Sequence, residues 1–117
     1  MIVPQLKSLS CGILEPPAVP PNPRDCSIAV QASIGPKGAE GEELFEFMVV
    51  TPTFLAKDKL PRWGRGVLIV DEFSWPTIER AIERLLAHAH RNTWAEVAAV
   101  LNHELQWEFD NYQPLAG

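Results

Sequence analysis

The sequence predicts an α+β domain: an antiparallel sheet of about four to five strands with two helices packed on one face. Three observations predict it. Residues 26–34 and 43–51 alternate with period two, as half-buried strands do. Residues 74–89 and 93–104 carry apolar positions at helical spacing behind capping residues. A glycine-rich loop joins the two strands, so they are expected to pair as antiparallel neighbours.

Taken in order, Val3 to Cys11 places Val3, Leu6, Leu9 and Cys11 among polar residues, an imperfect first strand. Residues 15–25 form a proline-rich surface loop, because proline lacks the donor that a strand ladder needs. Cys26, Ile28, Val30, Ala32 and Ile34 then share one strand face, with Ser27, Ala29, Gln31 and Ser33 on the other. In the next strand Phe45, Phe47 and Val49 face one way and Leu44, Glu46, Met48 and Val50 the other. Both faces are largely apolar, which suits a central strand. Thr51-Pro52 ends it. Residues 53–57 are expected to make one helical turn with Phe54 and Leu55 inward. Val67 to Val70 is short and β-branched, a buried strand.

Ser74 is a natural N-cap, and Pro76 fits the first turn of the helix it opens. Ile78, Ile82, Leu85, Leu86 and Ala89 form its buried stripe; Arg80, Glu83 and Arg84 lie off it. Thr93-Trp94-Ala95-Glu96 fits a capping box, with Val97, Val100 and Leu101 buried behind it. Residues 106–112 alternate as a last strand.

With 117 residues the chain makes one domain, residues 1–117, and buries about two thirds of its unfolded surface. Fifteen acidic against ten basic residues give a net charge of -5, and the cations are scattered. That disfavours nucleic acid, which needs a concentrated basic surface. No apolar run reaches the roughly 18 residues of a membrane span, and no signal-peptide pattern opens the chain. The expected location is therefore cytoplasmic. Cys11 and Cys26 read as two reduced, partly buried thiols, with a cross-strand disulfide as the alternative.

The loop Gly35-Pro-Lys-Gly-Ala-Glu-Gly-Glu-Glu43 carries the sharpest chemical signal. Its three glycines and proline demand a shaped backbone. Phosphate-cradling loops add a lysine near a helix start. This loop leads instead into Glu40, Glu42, Glu43 and Glu46, which repel phosphate and attract a basic protein surface. A solvated loop accounts for the same cluster. Trp63, Glu108, Asp110 and Tyr112 form a second candidate partner-binding surface. Trp75 and Trp94 sit at helix starts and are expected to pack on the core. His88 and His90 point about 200° apart on a helix, so they cannot share a metal. No cofactor motif is present, and no serine or cysteine sits in a nucleophile pattern. Glu108 and Asp110 share a strand face, which leaves a small enzyme with an acidic C-terminal site as one alternative. A scaffold subunit that assembles through an exposed sheet edge is another.

The sequence resembles the Imm8 family of bacterial immunity proteins. The resemblance rests on the glycine-rich loop, Phe45-Glu-Phe-Met-Val-Val-Thr-Pro52, Gly64-Arg65 ahead of Leu68-Ile69-Val70, Trp94-Ala-Glu-Val97 and Trp107-Glu-Phe-Asp-Asn-Tyr112. It covers roughly residues 26–112 and leaves the proline-rich segment outside. What it implies is a non-enzymatic inhibitor from a polymorphic toxin system, whose partner is a cognate toxin domain. A basic nuclease would suit the acidic loop. The resemblance supplies no catalytic residues and no cofactor.

Overall fold

A computed structural model describes residues 1–58 and 65–108. The described elements are β1 (Pro4–Ser10), β2 (Ser27–Pro36), β3 (Glu43–Val50), α1 (Pro52–Lys57), β4 (Val67–Ile69), α2 (Trp75–Leu86), α3 (Trp94–Leu101) and β5 (Gln106–Trp107). The strand order is β1-β2-β3-β4, and β5 also pairs with β3. This is the expected α+β architecture.

Strand β3 organises the sheet. One of its edges pairs with β2 along its whole length, from Glu43 opposite Ile34 to Val50 opposite Ser27. Its other edge is shared. Antiparallel β5 takes Phe45 and Glu46, and β4 takes Met48 to Val50. The β3–β4 pair is parallel, the one departure from an antiparallel sheet among the described strands. Parallel neighbours need a crossover rather than a hairpin, and α1 lies in that connection.

Strand β1 explains its own irregular pattern. Leu6 pairs with Ile34 and Leu9 with Ala32, yet Leu6 and Leu9 are an odd three positions apart. A strict period of two would point them to opposite faces. The register shifts between Leu6 and Ser8, so Lys7 is a bulge residue and both leucines pack against the core. The bulge, Pro4 and Lys7 also make β1 a poor template for another strand.

The core lies between the sheet and the helices α2 and α3. Val30, Ala32, Ile34, Phe45 and Val49 from the sheet are fully buried, as are Ile78, Val97, Ala98 and Leu101 from the helices. Each large side chain so buried contributes about 1.5–3 kcal/mol. On α2 the buried positions Trp75, Ile78, Ile82 and Leu86 recur every three or four residues, while Leu85 is half-buried. Trp75 packs edge-on to Phe73, with ring centroids 5.2 Å apart. Ala89 is buried just past the helix end, which comes at Leu86 rather than near residue 89. Helix α3 buries Val97, Ala98 and Leu101 and stops at Leu101, short of the expected Glu104.

The caps form as the sequence requires. The Thr77 amide reaches Ser74 Oγ at 3.5 Å, and the Glu96 amide donates to Thr93 Oγ1 at 3.2 Å. The expected reciprocal bond differs. Thr93 Oγ1 donates its proton to Glu96 Oε1 at 3.0 Å, so the carboxylate engages the hydroxyl instead of the Thr93 amide. Thr51 does more than end a strand. Its hydroxyl oxygen accepts from the Cys26 amide at 3.1 Å and caps α1 through the Phe54 amide at 3.4 Å, in a fully buried setting. Phe54 and Leu55 are half-buried, and α1 contributes no buried residue.

The proline-rich loop is tied down at the start of α2. The Trp75 indole donates to the Ala18 carbonyl at 2.7 Å, and the Phe73 amide to the Pro23 carbonyl at 2.7 Å. Cys11 and Cys26 are both free and buried. Burial, with the Asp25 charge as the smaller cause, raises the Cys26 thiol above its ordinary value. No helix among the described residues is long and apolar enough to cross a membrane.

Candidate functional site

The glycine-rich loop is built around close backbone approach. Gly38 has φ of 79° and sits in a turn that the Ala39 amide closes on the Pro36 carbonyl at 3.3 Å. Gly41 has φ of 100°. At Gly35 a β-carbon would lie 2.0 Å from the Gly41 carbonyl oxygen, so any side chain there displaces the loop. From the other flank, Lys7 Nζ donates to the Ala39 carbonyl at 3.1 Å. These contacts present Glu40 and Glu42 outward, both exposed.

The other two carboxylates of the expected cluster are placed differently. Glu43 is half-buried and accepts from the Trp107 indole nitrogen, 64 residues away in sequence. Glu46 stands on the sheet face that α2 and α3 leave uncovered, and Gln31 Nε2 donates to its Oε2 at 3.0 Å. Glu108 joins this group from the turn just past β5. Its Oε1 accepts from the Leu44 amide at 3.0 Å, and its own amide donates to the Leu44 carbonyl at 3.0 Å. The two surfaces that the sequence treats separately therefore meet where β5 docks on β3.

Trp107 is the hinge of that meeting. Its backbone amide donates to Asn102 Oδ1 at 2.9 Å, and its ring stacks on Phe45 at a centroid distance of 6.5 Å with 16° between planes. Trp94 is half-buried beside the loop and shares a hollow with Pro36, Glu40, Gly41, Glu42 and Glu43. Trp63, Asp110 and Tyr112, the remaining expected contact residues, lie outside the described residues.

Among the described residues the ion pairs are Arg24–Glu72 and Lys57–Asp25. Neither involves Glu40, Glu42, Glu43, Glu46 or Glu108. The exposed Arg24–Glu72 pair is worth little to stability. Carboxylates without an ion-pair partner are stabilised when a cationic surface arrives. Two residues absent from the sequence-level expectation also belong here. Leu44 is 42% exposed despite its large apolar side chain, and Gln31 holds Glu46 in place. The period-two pattern assigns Leu44 to the outer face, but only the layering of the helices shows that this face is open.

The family model described as Immunity protein 8 matches residues 5–112. The chain belongs to the Imm8 family. The match extends through β1 and the proline-rich loop, both missing from the stretch on which the resemblance rests. No curated protein and no solved structure matches the chain. Membership of Imm8 implies a role in immunity against toxins.

Proposed function

We propose that this Imm8 chain binds a cognate toxin domain and neutralises it by occlusion, with no bond-making step of its own. The match to the immunity family over residues 5–112 carries this reading. The described structure supports it physically. A scaffold with a fully buried core presents Glu40, Glu42, Glu43, Glu46 and Glu108 at one end, none of them ion-paired to a described residue. Such a surface steers a basic partner, and a nuclease is the toxin class it suits, because the same positive surface that grips phosphate meets the carboxylates. Action in the bacterial cytoplasm, where a toxin would meet its own producer, belongs to the same proposal.

Glu108 is engaged with the Leu44 backbone, which ties the segment after β5 to β3. Co-expression with toxin domains encoded beside the gene tests the proposal. The expected result is rescue of growth together with co-purification of the pair. Loss of viability with every neighbouring toxin, and no complex with any, overturns it.

A further inference from the structure

We draw no further inference here: the strongest candidate, the apolar hollow between β4 and α2 lined by Phe47, Val67, Leu68, Ile82, Leu85 and Leu105, carries none because nothing in the structure shows what covers it.

Discussion

The two faces of strands β2 and β3 are made from the same backbone and obey different rules. On the inner face Val30, Ala32, Ile34, Phe45 and Val49 are completely buried against α2 and α3. On the outer face Gln31 pairs with Glu46, Leu44 is 42% exposed, and Glu108 grips the Leu44 backbone. Packing dictates the inner residues, since a missing methylene there leaves a void. Nothing in the packing dictates the outer carboxylates. They carry negative charge that a partner of opposite charge would complement. The inner face thus holds the fold, and the outer face is free to carry the function.

The largest effects should come from the inner face. Phe45→Ala removes a fully buried ring and its stacking on Trp107, and is expected to cost about 3–5 kcal/mol in urea unfolding. Glu46→Gln, its neighbour on the opposite face, should stay within about 0.5 kcal/mol of the parent. Comparable losses for both would erase the division between faces.

Next in size is Thr51. Thr51→Val removes the acceptor for the buried Cys26 amide and the cap of α1 together. The expected loss is about 2–3 kcal/mol, read from the same unfolding curves. A change below about 0.5 kcal/mol would mean that the buried amide finds another partner.

A smaller effect is expected from pH. Burial first, and the Asp25 charge second, raise the Cys26 thiol above the ordinary thiol value of 9.0. The folded chain therefore holds this proton more tightly than the unfolded chain does. The contribution is complete below the unfolded thiol's pKa and fades as pH climbs through the folded one. Stability should fall as pH rises above 9.0, and the Cys26→Ala variant should fall less steeply. Identical slopes for parent and variant in alkaline thermal melts would remove Cys26 as the cause.

On the outer face the effects should appear in rates rather than stability. Charge reversal at Glu40 and Glu42, both exposed on the loop, should slow toxin association in low salt by about tenfold. The difference should shrink as salt screens it. Association rates that match the parent in low salt would confine the loop to a solvated role.

Much of this fold is legible in the sequence because its signals are local. Alternation over residues 26–34 marks β2, and Ser74 and Thr93 announce the helices that they cap. The rest depends on distant partners. Leu6 and Leu9 look out of phase until the bulge at Lys7 brings both inward. The parallel pairing of β4 depends on a crossover, which four β-branched or aliphatic residues do not encode. Of the candidate surface, Glu40 and Glu42 were evident from the loop itself. The link from Glu43 to Trp107 spans 64 residues, so no local pattern carries it. The same holds for Leu44, whose exposure is decided by where the helices settle.

The most direct test of the central claim is a titration of purified toxin activity against added chain. Inhibition by occlusion predicts a linear fall to an equimolar end point, with the toxin recovered in a stable complex. Full inactivation at a small fraction of the toxin's concentration, with no complex, would contradict it.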